Sequence, residues 1–183
     1  MEPTIILNSK QFELTIKRLC YQLIENHGDF SNSVIIGLQP RGIFLAERLK
    51  KVLLELAQID AQTGALDITF FRDDFRRSSE PRIPSVTNLD FSLENKKVII
   101  VDDVLYTGRT VRAGMEACLT YGRPQEFELM AFIDRRFHRN MPIQPNYIGK
   151  SVDTIDQEVV KVLWKENDEE DSVMLYKKNE LVE

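Results

Sequence analysis

Two adjacent carboxylates, Asp102 and Asp103, precede a short run of small and hydroxylated residues. Thr107 and Thr110 supply hydroxyl donors, and Gly108 lacks the Cβ that would keep a ligand away from the backbone. The unpaired N–H groups that begin a helix, helped by the helix dipole, bind phosphate. The carboxylates repel phosphate, but they accept hydrogen bonds from sugar hydroxyls or reach Mg²⁺ through water. The stretch therefore predicts a site for a sugar with a phosphate at one end and vicinal hydroxyls at the other.

The elements around this stretch are those of a strand followed by a helix. Residues 98–101 form a continuous apolar, β-branched run, as expected of a strand buried on both faces. A helical pattern then runs to Gly122, with its apolar positions at Val111, Met115, Cys118 and Leu119. Since α/β sheets bind ligands at the carboxyl edge of their parallel strands, the acidic pair and the loop are expected at that edge.

Residues 98–110, VIIVDDVLYTGRT, resemble the phosphoribosyl-pyrophosphate (PRPP) signature of type I phosphoribosyltransferases. Residues 102–110 are similar to the form found in the bifunctional pyrimidine-operon attenuator/uracil phosphoribosyltransferases. The alternative is an ordinary βα turn with a chance acidic pair, and a match of this length in the correct setting favours the family. The resemblance implies transfer of ribose 5-phosphate from PRPP to uracil, which gives UMP and pyrophosphate, with Mg²⁺ as the cofactor.

The resemblance also assigns roles to residues of this chain. It implies a catalytic set of Asp102, Asp103, Arg41 and Arg72. It implies PRPP contacts from Pro40, Arg41, Gly42, Arg72, Asp102, Asp103, Val104, Leu105, Tyr106, Thr107, Gly108, Arg109 and Thr110. The base is expected against Tyr106, Asp134 and Arg135, and Mg²⁺ is expected near Asp102 and Asp103, through water or the ribose.

Two further loops contribute to the predicted PRPP site. Residues 33–38 form a second buried strand, after which the planar fork of Arg41 suits two pyrophosphate oxygens. Gln39-Pro40 stands where the family usually has Lys-Thr. Residues 65–71 are predicted as a third strand, and the segment 72–91, rich in Ser, Pro and Arg, is too long for a mere connection. It is either a passive surface loop or a mobile lid, and the resemblance favours a lid that closes over PRPP.

Position 106 bears on the choice of base. Related purine enzymes often carry Asp there, which can act on purine N7, whereas this chain has Tyr106, a poor base at neutral pH because its unperturbed pKa is about 10. This difference favours a pyrimidine. Another strand is predicted at 127–134, and the family's Asp-Arg-Gly-His-Arg becomes Asp-Arg-Arg-Phe-His-Arg at 134–139. His138 is as well explained as a surface residue as by a functional role, and a different base remains an alternative.

An alternative function of another class is an RNA-binding attenuation regulator that senses nucleotides in the same pocket. The resemblance implies RNA contacts for Lys17, Arg18, Lys150 and Thr154. The family tends to have basic residues or His where this chain has Glu13, Leu14, Tyr21 and Asn26. Because phosphate contacts supply most RNA affinity, and because the net charge is −5, we interpret the chain as an enzyme first and at best a poor regulator.

The 183 residues predict one domain, 1–183, of the α/β class: a mostly parallel twisted sheet with helices on both faces. A small hood, a group of elements that covers the base, is expected from the N-terminal segment with its first helix and from about 135–183. It would include a C-terminal hairpin of 159–164 and 172–176 with a solvated acidic tip at 166–171. The first helix is expected to end at Gly28, with His27 solvated at its end.

Composition sets the expected surroundings of the protein. No apolar run is long enough to span a membrane, and the N-terminus lacks the pattern of a secretory signal. Cys20 and Cys118 are isolated and are expected to be reduced thiols in or near the core of a cytoplasmic protein. The resemblance implies a homodimer or a larger homo-oligomer, and no membrane partner.

Overall fold

The structure is a computed structural model that describes residues 3–73, 84–155 and 157–177. Its helices are α1 (Ser9–His27), α2 (Gly42–Ala57) and α3 (Arg109–Cys118). Its strands are β1 (Thr4–Leu7), β2 (Ser33–Leu38), β3 (Gln62–Leu66), β4 (Lys97–Leu105), β5 (Glu126–Arg136), β6 (Tyr147–Asp153), β7 (Glu158–Leu163) and β8 (Ser172–Lys177).

The main sheet has the strand order β3-β2-β4-β5-β6, and all its neighbouring strands are parallel. Its central strands are apolar on both sides because both faces are covered. Ile35 and Ile99 pack in the core shared with α1 and α2, while Ile36 and Ile100 pack in the core shared with α3. The predicted fold class, a mostly parallel sheet with helices on both faces, is confirmed.

The strand order brings the two predicted substrate loops together. After β2 the chain adds β3 on one side, and it then returns to place β4 on the other side of β2. The order therefore reverses between β2 and β4, and a crevice opens there outside the carboxyl ends of the strands. The loop after β2 and the loop after β4 both leave from this crevice.

A second, antiparallel sheet has the order β1-β8-β7, so the predicted C-terminal hairpin is confirmed. β1 joins this sheet, but α1 does not, because its apolar face packs into the main core. Phe12 and Ile16 of that face are 0% and 3% exposed. The assignment of the first helix to the hood stays a prediction, since α1 packs both into the main core and, through Phe12, against Trp164 beside the second sheet. Trp164 joins the two sheets, with its ring centroid 5.0 Å from that of Phe12 and 5.7 Å from that of Phe132.

Two strands differ most from the sequence prediction. The third strand is β3 and ends at Leu66, because the Asp67 carboxylate accepts hydrogen bonds from the Thr69 N–H and hydroxyl, at 3.0 and 2.6 Å, and turns the chain. The aromatic residues that suggested a strand lie in a 3₁₀ turn, Thr69–Phe71. The fourth strand does not stop before the acidic pair but continues through it to Leu105, because β4 pairs with β5 along that length.

His27 is not solvated, contrary to its prediction. Its side chain is 0% exposed. Its Nδ1 lies 2.8 Å from the Ser33 hydroxyl, and its Nε2 lies 2.9 Å from a Glu128 carboxylate oxygen and 3.0 Å from the Tyr147 hydroxyl. The three partners begin or lie near the beginning of β2, β5 and β6, so His27 links the amino ends of these strands. Burial, together with the neighbouring carboxylate, raises the pKa of Tyr147.

The acidic hairpin tip is also not simply solvated. Arg48 of α2 holds Glu166 with bonds of 2.6 and 2.9 Å and Asp171 with two bonds of 3.0 Å. These charge-assisted pairs raise the pKa of Arg48. The tip is therefore fixed on α2.

Both cysteines are buried free thiols, as predicted, and burial raises the pKa of each to about 12. Within the described part of the chain, the helices are too short or too polar to cross a membrane.

Candidate active site

The loop after β4 forms the centre of the site. A cleft of about 260 Å³ is lined by Arg72, Asp102, Val104, Leu105, Tyr106, Thr107, Gly108, Arg109 and Thr110. Gly108 precedes the first residue of α3, so the unpaired N–H groups of that helix face the end of the loop. The Thr107 hydroxyl accepts from the Arg109 N–H at 3.4 Å. The structure thus brings together, in one cleft, the residues that were predicted for the phosphate.

Gly108 is required here for two reasons. Its φ of 87° lies in the left-handed region, which residues with a side chain rarely adopt. A Cβ at this position would also lie 3.2 Å from the Met141 Cβ and 3.3 Å from the Ile143 Cδ1. The loop after β5 therefore packs directly against the loop after β4 around Gly108, which is called the phosphate loop below.

The acidic pair sits at the end of β4. Asp102 is 7% exposed, and one of its oxygens accepts from the Asp103 N–H at 3.0 Å. Burial raises the pKa of Asp102 well above its usual range, and the neighbouring Asp103 charge raises it further. Burial also raises the pKa of Asp103, although Arg41 opposes that shift. A cation or a hydroxyl donor at this place would stabilise both carboxylates.

Arg41 lies beside the acidic pair, at the end of the loop that contains the cis Gln39-Pro40 peptide. Its Nε is 3.3 Å from an Asp103 oxygen, and its Nη2 is 3.2 Å from an Asp168 oxygen of the hairpin tip. The structure therefore places the predicted pyrophosphate ligand where an anion would compete with Asp168. The next residue, Gly42, approaches β4 so closely that a Cβ would collide with the Val101 carbonyl.

Arg72 borders the phosphate cleft and a second cleft of about 350 Å³, which is lined by Gln39, Pro40, Asp67, Ile68, Thr69, Arg72 and Ser85. The adjacent Asp73 forms a salt bridge with Arg109. The middle of the predicted lid, residues 74–83, lies outside the described residues. Its far end is fixed, since Asn88 pairs with Ala65 of β3. Arg72 thus lies between the cleft beside Gln39-Pro40 and the cleft around Gly108.

The predicted base side of the site is built around Tyr106. The guanidinium carbon of Arg135 lies 4.1 Å from the centroid of the Tyr106 ring, and the His138 ring centroid lies 5.3 Å from it. Arg135 is 6% exposed and donates to the Thr154 hydroxyl at 3.1 Å. The Asp134 carboxylate forms a salt bridge with Arg139, and the structure gives it no contact with the Tyr106 ring among the described residues.

The four predicted RNA contacts do not lie together. Arg18 of α1 donates to the Ile148 carbonyl of β6 at 3.1 Å, two residues from Lys150, and Lys17 forms a 2.6 Å pair with Glu13 on the same helix. Arg18 and Lys150 are therefore neighbours across α1 and β6. Thr154 is 6% exposed, and its hydroxyl accepts from Arg135, so it belongs to the base side instead.

Two residues of the site were not assigned a role from the sequence. Asp168 was read as part of a charge run, and no spacing signal marks its contact with Arg41. Arg139 ends the segment that matches the family's Asp-Arg-Gly-His-Arg, which was a usable signal.

Comparison with known proteins matches the family that the sequence resembles. Residues 4–167 match the family model described as phosphoribosyl transferase domain. The chain is 40% identical over 179 residues to the bifunctional protein PyrR of Listeria monocytogenes, covering 96% of this chain and 97% of that protein. It is 38% identical over 175 residues to the bifunctional protein PyrR of Clostridium novyi, covering 96% and 98%.

Solved structures with a similar fold include a hypoxanthine phosphoribosyltransferase from Staphylococcus aureus, with a TM-score of 0.72, 18% identity and coverage of 98% of this chain and 94% of that one. Another is the Trypanosoma cruzi hypoxanthine phosphoribosyltransferase, with a TM-score of 0.73, 14% identity and coverage of 97% and 92%. At these identities the likeness shows the fold alone.

Proposed function

The chain belongs to the phosphoribosyltransferase family, within it to the group of the bifunctional pyrimidine-operon attenuator/uracil phosphoribosyltransferases, and from that premise we propose that it transfers ribose 5-phosphate from PRPP to uracil. The products are UMP and pyrophosphate. The observation that carries this proposal is the meeting of three features at one crevice: the phosphate loop around Gly108, the buried acidic pair, and Arg41 beside that pair.

The separation of charges in the site suits both ends of PRPP. The start of α3 and the Thr107 and Thr110 hydroxyls take the 5′-phosphate. Asp102 and Asp103 accept hydrogen bonds from the ribose hydroxyls and stabilise the cationic ribose of the transition state. Arg41 and Arg72 offset the negative charge that grows on the leaving pyrophosphate. Catalysis then consists mostly of positioning and electrostatics.

Mg²⁺ fits the donor chemistry of this site. Carboxylate oxygens are the ligands that this hard cation prefers, and the raised pKa values of Asp102 and Asp103 mark carboxylates that a cation would stabilise. Among residues 3–73, 84–155 and 157–177, no group of three or more His, Cys, Asp or Glu side chains could hold a metal alone. The remaining ligands are therefore waters and substrate oxygens. When bound, Mg²⁺ neutralises charge on the pyrophosphate.

The base proposal depends on Tyr106. Position 106 carries a tyrosine, with Arg135 against its ring, in place of the carboxylate that related purine enzymes often have there to act on purine N7. Tyr106 also lines the cleft, where its ring can contact a flat pyrimidine. This reasoning favours uracil, and cytosine and purines are the comparison substrates. The family also implies a homodimer or larger homo-oligomer, and a cytoplasmic location, as further proposals.

The test is a turnover assay with PRPP, MgCl₂ and a panel of uracil, cytosine, hypoxanthine and guanine, with the product identified by mass. We expect UMP. The Asp103→Ala and Arg109→Ala variants should lose about 100-fold or more in kcat/KM while they remain folded, because both residues lie against PRPP in the proposed complex. The control is Arg123→Ala, an exposed arginine outside the site. Turnover retained in either site variant, or a product other than UMP, would contradict the proposal.

RNA binding is the second candidate function, favoured by Lys17 and Arg18 on α1 and by Lys150, which lies near Arg18 on β6. Three cations are few for RNA, so we expect weak, salt-dependent binding of the pyrimidine-leader RNA. A gel-shift series at rising salt measures it, with Arg18→Ala as the test variant and Lys10→Ala, another exposed cation of α1, as the control. Equal binding by both variants would place the RNA elsewhere, and tight binding at high salt would show a stronger regulator than we propose.

A further inference from the structure

Arg139 lies in the connection between β5 and β6, and its guanidinium reaches the ends of two neighbouring strands. It forms a salt bridge with Asp134. Its nitrogens also lie within hydrogen-bond distance of four backbone carbonyls, those of Tyr106, Ile143 (3.1 Å), Arg135 (3.3 Å) and Leu105 (3.4 Å). One side chain thus connects the end of β4, the end of β5 and the returning connection.

This arrangement has a clear physical basis. Parallel strands end in carbonyl groups that have no further partner in the sheet, and a buried unpaired carbonyl is costly. The planar guanidinium offers five donors in a fixed fork. Nε donates to the Ile143 carbonyl, and the two hydrogens of Nη1 are shared among the carbonyls of Tyr106, Arg135 and Leu105. Its charge is balanced by Asp134, whose side chain is 8% exposed, while that of Arg139 is 23% exposed. The pair is therefore largely shielded from water, and its geometry is well defined.

The same connection is attached to the phosphate loop. The backbone N–H groups of Asn140 and Met141 donate to the Thr107 carbonyl, at 3.0 and 3.2 Å. Gly108 is in close contact with Met141, as described above. Arg139 fixes the residue immediately before this contact, since it holds the Tyr106 carbonyl. The wall of the base pocket and the phosphate loop are thus held by one short segment, 139–141.

We propose that Arg139 is a positioning residue that sets the distance between the Tyr106 wall and the phosphate loop, and thereby aligns the base with C1 of the ribose. The inference rests on the proposed function, because it assumes that a base and a phosphorylated ribose bind on the two sides of Tyr106. Alignment matters because reacting atoms must approach to about 3–3.5 Å, and a misplacement of about 1 Å can cost about 100-fold in rate. Arg139 acts through Tyr106 and does not itself touch substrate.

The experiment compares Arg139→Lys and Arg139→Gln with Arg136→Gln. Arg136 is a matched control because it lies three positions earlier, at the end of β5, and also pairs with a carboxylate, that of Asp153. The side chains of this pair are about half exposed, at 52% and 54%. For both Arg139 variants we expect a higher KM for the base and a lower kcat, with a combined loss of about 10- to 100-fold, while the KM for PRPP changes less than about threefold. Arg136→Gln should stay within about twofold of wild type.

Lysine is the decisive variant. It keeps the charge and the pairing with Asp134, so the protein should fold, but its single ammonium cannot reach the carbonyls of both strands. Wild-type kinetics in Arg139→Lys would overturn the proposal. So would activity lost only in proportion to unfolded protein, with both KM values and the preference among bases unchanged, because that result is expected of a purely structural residue.

This test is separate from that of the proposed function. Turnover of uracil by the wild-type protein tests the function. The inference is tested by the ratio of kcat and of KM in the variant to those in the wild type, measured with the base that the wild type uses fastest. A preference for another base would therefore contradict only the uracil assignment.

Discussion

Replacing Asp102 by Asn should make the protein more stable while it removes the transferase activity. Asp102 is 7% exposed and has Asp103 beside it, and burial together with that neighbouring charge raises its pKa well above the usual range. Because the pKa is raised, ionising this carboxyl group in the folded protein costs stability. Asparagine removes the charge and keeps the oxygen that accepts from the Asp103 N–H at 3.0 Å.

The expected gain is about 1–2 kcal/mol in the free energy of unfolding, the usual size for relieving one unfavourable site. For a chain of 183 residues that corresponds to a Tm higher by roughly 2–8 °C. The sign of the pH dependence follows from the raised pKa. The contribution of Asp102 to stability is fully present below its unfolded pKa of about 3.9 and is lost as pH rises through the higher folded value. The advantage of the variant should therefore grow with pH.

The assay is urea unfolding at about pH 5 and about pH 8, since stability depends on pH wherever the folded and unfolded states bind different numbers of protons. Asp103→Asn is the matched control. It removes one of the two carboxylate partners of Arg41, which lies 3.3 Å from Asp103, so we expect no comparable gain. A second measurement is the rise in Tm on adding PRPP with MgCl₂. The wild-type protein should show this rise, and Asp102→Asn should largely lose it. An Asp102→Asn protein no more stable than wild type at the higher pH, or an advantage that shrinks as pH rises, would refute the reasoning.

Two further predictions concern residues whose contacts only the structure reveals. Asp168→Asn should lower the KM for PRPP by about two- to fivefold, because Asp168 competes with pyrophosphate for Arg41 across a partly exposed 3.2 Å pair. The control is Glu169→Gln, at an exposed position beside it. A KM for PRPP that is the same in both variants would contradict this prediction. His27→Ala should lower the free energy of unfolding, measured by urea titration, by about 2–4 kcal/mol, because the buried ring contacts three polar groups. The kcat should stay at the wild-type value, since His27 lies at the opposite edge of the sheet. A loss below about 1 kcal/mol, or a lower kcat in folded protein, would contradict the prediction.

The fold class and the position of the phosphate loop were predictable because both follow from local patterns. Continuous apolar runs mark strands that are buried on both faces, and the residues from Asp102 to Thr110 carry their chemistry within nine consecutive positions. The hairpin β7-β8 was visible for the same reason, since its alternation is local. The exact strand ends were not predictable, because Asp67 ends β3 through its own side chain and β4 is extended by pairing with β5.

The errors at His27 and at the hairpin tip share one physical cause, which is that a charged or polar side chain shows no sign in the sequence of the partner that will bury it. His27 looked like a solvated helix end, yet Glu128 and Tyr147 enclose it from more than 100 positions away along the chain. The hairpin tip looked solvated, yet Arg48 of α2 holds it.

The sequence by itself determined the parallel α/β core, the acidic pair and the phosphate loop, because propensity, apolar periodicity and turn chemistry act between residues that are close along the chain. Only the tertiary structure decided that Arg41 is shared between Asp103 and Asp168, and that Arg139 joins the ends of β4 and β5. These contacts exist because the strand order reverses between β2 and β4 and brings distant loops to one edge of the sheet, where charges find partners that no spacing in the chain can specify.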